Sequence, residues 1–369
     1  MLSQKWLELL QHLQDGTHEF VEQGEAVERL STKYSFLKSQ FCNISKSEDP
    51  AQIDWLEHET FTSVMGEITK ECSFTADEMD FIFNCLLSAK LAQLALTMIN
   101  NHEKVLTEAD FSFKRALVLQ RLGESELARK ALEKTLELEP GHHLAICHLG
   151  FIALYSGNLE QAIDYFSACV EKAPDFIGGY QNLAGCHYQN SDFEAAATYC
   201  EDVYRLDQTI EQSYVTAISC FLALDDLDSC LNWLERASAH NINSIELFRL
   251  RGMVAFLAKD YPQAIDHLST YLTFYQDNLD VLEVRAKALA ATEDWENLKP
   301  DLLTLLEVDP FDSWGLEQLF LCYFHTSEWT KAEEVMVQLT KISGHYRISY
   351  NSQINRIRQE QQIPLTETK

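Results

Sequence analysis

Residues 143–176 read HLAICHLGFIALYSGNLEQAIDYFSACVEKAPDF, and the frame of this stretch recurs along the chain every 34 residues. Pro140 and Pro174 keep that spacing, and Pro310 lies four periods beyond Pro174. Gly123 and Gly157 keep it too. So do Ala128, Ala162, Ala196, Ala264 and Ala332, with Cys230 and Leu298 filling two slots. The register is unbroken from residue 109 to residue 346, which makes seven units. Fixed self-similarity at this period is the mark of stacked structural repeats.

Counted from Ala109 as position 1, each unit has recurring columns. Position 20 is small in most units, which marks a close helix–helix contact. Position 24 holds Leu132, Phe166, Cys200, Leu234, Leu268, Leu302 and Met336; position 27 includes Thr135, Cys169, Val203 and Leu339. Positions 20, 24 and 27 share one face at helical spacing. Position 17 is mostly bulky, as at Phe193, Tyr261, Trp295 and Trp329. In the first half of the unit, position 8 is mostly small (Ala116, Gly150, Ala184, Gly252, Ala286) and position 11 joins it. The pattern predicts two amphipathic helices per unit, broken near position 15 by Gly123, Gly157 or a polar residue. Pro140, Pro174 and Pro310 end the second helix, because proline lacks the N–H and clashes with the preceding turn.

Leu149, Gly150, Gly157, Ala162, Phe166 and Pro174 carry a resemblance to the tetratricopeptide repeat family. The resemblance implies an all-α, right-handed superhelical solenoid of helix-turn-helix repeats with an N-terminal helical region. Residues 211–244 read as the most degenerate copy, with Ile218 at position 8, Cys230 at 20 and Ile242 at 32. The expected organisation is an N-terminal helical region or cap over 1–74 and a degenerate repeat over 75–108. Seven repeats follow over 109–346, then a C-terminal capping helix and tail over 347–369.

In the N-terminal region Leu2, Trp6, Leu9, Leu10 and Leu13 form one apolar stripe, and Val27, Leu30, Tyr34, Leu37 and Phe41 a short heptad-like seam. Two readings stay open there: a cap over the first repeat, or a module for oligomerisation or partner docking. Thr75 to Glu78 is a capping-box pattern, and Phe81, Ile82, Leu91, Leu94 and Met98 approximate the repeat columns. At the other end, a helix over 346–362 is expected to cover the seventh unit with Ile348, Ile354 and Ile357. Arg347, Asn351, Arg356 and Arg358 would then face water. Solenoids need such terminal caps for solubility.

The chain has 369 residues and a formal charge of -28. That sign repels phosphate backbones and generic anionic membrane surfaces, so nucleic acid and membrane are not expected partners. No apolar run is long enough to span a bilayer, and the first residues lack a secretory signal pattern. Ten cysteines occur without a C-x-x-C pair, and Cys169, Cys200 and Cys230 sit in apolar columns. They read as reduced core thiols of a cytoplasmic protein. Cys147-His148 with Cys186-His187 is the only metal constellation worth weighing, and its members fall on different faces. No cofactor is expected.

Nucleotide-binding, metalloprotease and nucleophile-elbow motifs are absent, so an enzyme is not expected. What remains is a binding surface. In repeats of this family the first helices line a concave wall, and positions 2, 5, 9, 12 and 13 point into it. Here those positions supply Phe113, Leu117, Cys147, Phe151, Leu154, Tyr155, Tyr188, Val215, Leu222, Met253 and Phe256, with Gln181 and Arg249 as polar groups and Asn182, at position 6, as a third. Such a wall suits an amphipathic helix or an extended peptide of a partner protein. The alternative is that some of these side chains pack between neighbouring helices. Co-chaperone members of the family clamp a C-terminal carboxylate with Lys, Asn and basic residues. Cys147, Phe151, Gln212 and Thr216 stand at four of those places, so that clamp is missing. The expected role is a scaffold or adaptor for protein partners. The alternatives are a chaperone for exported proteins and a structural subunit assembling through its ends and convex face.

Overall fold

The computed structural model describes residues 79–80, 83–84, 86–87 and 92–361. The expectations for 1–74, for Thr75 to Glu78, for Phe81, Ile82 and Leu91, and for Cys42, Cys72 and Cys85 lie outside the described residues. The chain is an all-α repeat solenoid, with no strand among the described residues. Helix α1 (Ala92–Asn101) and a 3-10 turn precede the repeats. The first three repeats are α2 (Glu108–Arg121) with α3 (Ser125–Leu138), α4 (His143–Tyr155) with α5 (Leu159–Lys172), and α6 (Ile177–Gln189) with α7 (Phe193–Leu206). Then come α8 (Glu211–Ala223) with α9 (Leu227–Ala239), and α10 (Ile245–Leu257) with α11 (Tyr261–Leu272). The last two are α12 (Leu279–Ala291) with α13 (Trp295–Val308), and α14 (Ser313–His325) with α15 (Trp329–Ile342). Two short helices close the chain, α16 (His345–Ser349) and α17 (Asn351–Glu360). Two compact units divide at Gly179/Tyr180, within the first turn of α6.

The turn inside each repeat explains why the register never slips. Position 15 has positive φ in all seven copies: Gly123, Gly157, Ser191, Asp225, Lys259, Glu293 and Ser327. At each, the following N–H donates back to the carbonyl of position 11, as from Asp192 to His187 and from Asp294 to Leu289. This six-to-one bond closes the first helix with a left-handed residue and satisfies its last carbonyls. The residue at position 16 then caps the second helix. Asn158, Asp192, Asp226, Asp260 and Asp294 each accept from the N–H three residues on. One three-residue device stops one helix and starts the next.

Packing follows the columns. All seven position-20 side chains, from Ala128 to Ala332, are fully buried. Position 8 faces position 24 across the hairpin. A Cβ on Gly150 would meet the Phe166 ring at 2.7 Å, and one on Gly252 would fall within 2.5 Å of Leu268 Cγ and Cδ2. These glycines are close-approach positions, not turn residues. In the degenerate repeat Trp233, one place before the column, is buried while Leu234 is only partly so. Tyr214 is fully buried there and its hydroxyl donates to Gln208 O at 2.6 Å. Within the first unit, α1 packs on α2 and buries Ala95, Met98 and Ile99.

The C-terminal cap differs from the single helix expected. The chain bends at Tyr350 between α16 and α17, and the Tyr350 hydroxyl donates to Glu317 at 2.6 Å. Ile354 and Ile357 pack into the cluster around Leu339 and Phe320. Ile348 does not cover the seventh repeat: it is 76 % exposed, because it lies on the short helix before the bend. Arg356 does not simply face water either. Its guanidinium lies 5.5 Å from the Phe324 ring and 5.8 Å from Trp329.

The seven described cysteines are buried, and burial raises the thiols of Cys220 and Cys322 to about 12 and that of Cys230 to about 11. Cys200 is pushed up by burial as well. A thiol is inert when its thiolate is this disfavoured. At neutral pH a maleimide is expected to modify these four only as fast as the fold opens; their modification within seconds in the native protein would overturn the assignment. A paired substitution checks the backbone account. Glu293→Gly relieves a left-handed non-glycine residue and should stabilise by up to about 1 kcal/mol. Gly252→Ala overpacks Leu268 and should destabilise by roughly 1–3 kcal/mol in urea unfolding.

Candidate protein-binding face

The first helices carry the side chains singled out for partner binding, and each unit presents its own set. In the first unit, α2 supplies Phe113 and α4 supplies Phe151 and Tyr155. Phe113 and Phe151 are half-buried, and the ring between them is His148, 5.7 Å from Phe113 and 5.8 Å from Phe151. Phe113 also lies 4.5 Å from His142, and Phe151 meets the buried Phe166 edge-on at 5.3 Å. Tyr155, one turn on from Phe151, is 86 % exposed. The sequence reading put His148 on another face; the structure makes it the filler of this aromatic ladder.

His148 is held neutral. Its Nδ1 donates to Gln120 Oε1 at 2.8 Å, while Gln120 Nε2 donates back to the His148 carbonyl at 3.4 Å. Burial first, then the charges of Arg121 and His142, lower its pKa from 6.5 to about 4. Cys147, expected on the wall, is instead buried. It turns into the repeat toward Cys169, whose thiol donates to His143 O and whose pKa is lowered by hydrogen bonding with Cys147. The small thiol fits the space beneath α5 better than it fits a surface.

In the second unit, Gln181 and Asn182 are half-buried on α6, and Tyr188 is exposed at its end. On α8, Val215 and Leu222 are half-buried, as are Arg249, Met253 and Phe256 on α10. A rule absent from the sequence reading emerges here: position 12 packs on position 17 of the same hairpin. Tyr188 meets Phe193 at 5.5 Å, Phe256 meets Tyr261 at 5.8 Å, and Phe324 meets Trp329 at 5.7 Å. Position 12 therefore divides its ring between the turn and solvent. Arg249 is already committed, with its Nε donating to Glu246 Oε1 at 2.6 Å. Leu257, beside Phe256, is half exposed and was not singled out.

The histidines of the metal constellation have other uses. His187 Nδ1 lies 3.1 Å from Asp192 Oδ2 and its ring stacks on Tyr199 at 5.3 Å. Among the described residues no group of three or more His, Cys, Asp or Glu side chains is placed to hold a metal ion. No helix among them is long and apolar enough to cross a membrane. In each unit the first-helix side chains singled out for partner binding are apolar or uncharged, apart from Arg249.

The profile of the tetratricopeptide repeat matches residues 113–175 and 152–209. Lipopolysaccharide assembly protein B of Escherichia coli strain K12 is 24 % identical over 161 residues, which is 41 % of this chain and 41 % of that protein. The chain thus matches about two fifths of the length of that relative. Among solved structures, YrrB, a tetratricopeptide-repeat protein with an unusual peptide-binding site, is 15 % identical with a TM-score of 0.45, covering 51 % of this chain and 97 % of that one. The pilF protein of Pseudomonas aeruginosa is 16 % identical with a TM-score of 0.47, covering 55 % and 92 %.

His148 ties the stability of the first unit to pH. An imidazole whose folded pKa is depressed contributes its full stability above the unfolded value near 6.5 and loses it as pH falls toward 4. The loss amounts to about 3 kcal/mol. Urea unfolding of wild type and His148→Gln at pH 7 and pH 4 is expected to show the wild type losing more by roughly that amount. Parallel losses in the two proteins would refute the buried, neutral imidazole.

Proposed function

We propose that this chain, a tetratricopeptide-repeat protein, is a non-enzymatic scaffold or adaptor that grips an apolar or amphipathic segment of a partner protein with the first-helix face of its repeats. The observation that carries the reading is the exposure of Tyr155, with Tyr188 and Leu257 also open to solvent at neighbouring positions of other first helices. A folded surface normally places charge at such sites, and open aromatic and aliphatic side chains mark interaction surfaces. The half-buried neighbours, Phe151 one turn before Tyr155 and Met253 and Phe256 beside Leu257, supply a floor that a partner side chain can reach. Gln181 is the amide at hand for a bound backbone, its neighbour Asn182 being already engaged within the protein, and Arg249 acts through its pair with Glu246. The missing carboxylate clamp argues that the partner is read by its apolar side chains and not by its C-terminus. Buried, disfavoured thiols suit a cytoplasmic, reducing setting.

The test uses the full chain as bait in extract from its own cells, with captured proteins identified by mass spectrometry and the affinity then measured by calorimetry. Tyr155→Ala combined with Leu257→Ala should weaken the captured partner at least tenfold while the helical circular dichroism stays unchanged, since both side chains are solvent-exposed. Phe151→Ala is the less clean variant, because its ring also supports Phe166. Binding should fall only modestly between low and physiological salt. An unchanged affinity in the double variant would sink the reading.

A further inference from the structure

The second unit carries another unpartnered apolar surface, on an edge and not on the first-helix face. Phe274 is 64 % exposed, Val308 66 % and Phe311 78 %, and Tyr275 is more than half exposed. All four lie in the links between repeats: Phe274 and Tyr275 between α11 and α12, Val308 and Phe311 at the end of α13 and just beyond it.

The fold brings these two links together. Helices α12 and α13 form one antiparallel hairpin, pinned at mid-length where Arg285 Nε and Nη2 donate to Asp301 at 2.9 and 2.6 Å. Arg285 Nη1 also donates to Ser269 on α11 at 3.1 Å. The open end of that hairpin sets the start of α12 beside the end of α13, so the link entering α12 neighbours the link leaving α13. Beneath them lies the buried cluster of Leu268, Tyr271, Leu272, Val281 and Leu282, with Leu305 packed against it. The exposed rings are therefore the outer layer of a core edge.

Charge decides what fits. Between Lys259 and Lys331 the only basic residues are Arg285, Lys287 and Lys299. Each is held by a carboxylate of this chain: Asp301, Glu283 and Glu328 respectively. Asp277, Asp280, Glu307 and Asp309 stand exposed among the apolar side chains. Of these, Asp309 accepts from Phe311 N, a local turn contact that leaves its charge uncompensated. Apolar side chains set among exposed carboxylates, with the three cations of residues 260–330 already paired, make a surface for a cationic, amphipathic segment. A second copy of this acidic chain, and an anionic membrane, would both be repelled.

We propose that this edge docks a Lys- or Arg-bearing amphipathic segment of a partner protein, its aliphatic side chains on Phe274, Val308 and Phe311 and its cations on Asp277, Asp280, Glu307 and Asp309. The site is separate from the first-helix face. A fluorescein-labelled helical peptide of repeated Leu-Lys-Lys-Leu, with a Leu-Glu-Glu-Leu peptide as control, is titrated by anisotropy into the full chain. The Lys peptide should bind and the Glu peptide should not. Phe274→Ser with Phe311→Ser should weaken binding at least tenfold without changing the circular dichroism. Asp277→Asn with Asp309→Asn should weaken it several-fold and flatten its salt dependence. Tyr155→Ala with Leu257→Ala should leave it unchanged, which separates the outcome from that of the first-helix face. Equal binding of both peptides, or of the Phe274/Phe311 variant and wild type, would overturn the proposal. Binding lost only in the Tyr155/Leu257 variant would overturn it too, assigning the Lys peptide to the first-helix face.

Discussion

The close approach of two helices at position 20 is the constraint on which the rest of this molecule depends. A small, fully buried side chain there lets the second helix lie against the first, and everything else in the repeat is placed by that distance. At such a separation the position-24 side chain must sit directly over position 8, which is why Phe166 and Leu268 demand glycine beneath them. The left-handed residue at position 15 then has a single task, to reverse the chain in the short span this approach allows. Because helices within each unit pack mainly on their neighbours in the chain, stability is a sum of local terms, and one degenerate repeat is tolerated.

That tolerance shows in the fourth repeat. Cys230 takes the small column and Ile218 the column opposite, so volume is moved from one helix to the other. Trp233 supplies the bulk that Leu234 does not bury, and Tyr204 and Tyr214 meet it edge-on at 5.6 and 5.7 Å. Arg236 covers the group 4.9 Å from both the Tyr204 and the Trp233 ring while paired with Glu201 at 2.6 Å. Different residues reach the same spacing, which is what close packing requires and what a motif alone does not record.

The fold was legible because its signal is repeated. A column of Ala, Cys and Leu at fixed spacing carries the same physical instruction seven times, and one odd residue cannot hide it. The face was only partly legible, because surface positions are defined by what does not touch them. Cys147 and Phe151 both stood at inward positions in the pattern, yet one is buried with Cys169 and the other shares its ring with Phe166. Position 12 was read as pointing outward, but the aromatic at position 17 draws it back across the turn. A pairing rule between 12 and 17 was present in the sequence as Tyr188 with Phe193, Phe256 with Tyr261 and Phe324 with Trp329. The edge around Phe311 escaped because link residues follow no helical period, so no column marks them.

Two surfaces of different chemistry follow from one architecture. Along the first helices the backbone polar groups are used up internally, so on the proposed reading selectivity there would rest mainly on apolar shape. At the links around α12 and α13, Asp277, Asp280, Glu307 and Asp309 stand exposed, with Asp280 in the first turn of α12, where a carboxylate is favoured. A partner segment that reads shape and one that reads charge would therefore meet different parts of the molecule. Coupling between sites weakens with separation when no packed residues are shared.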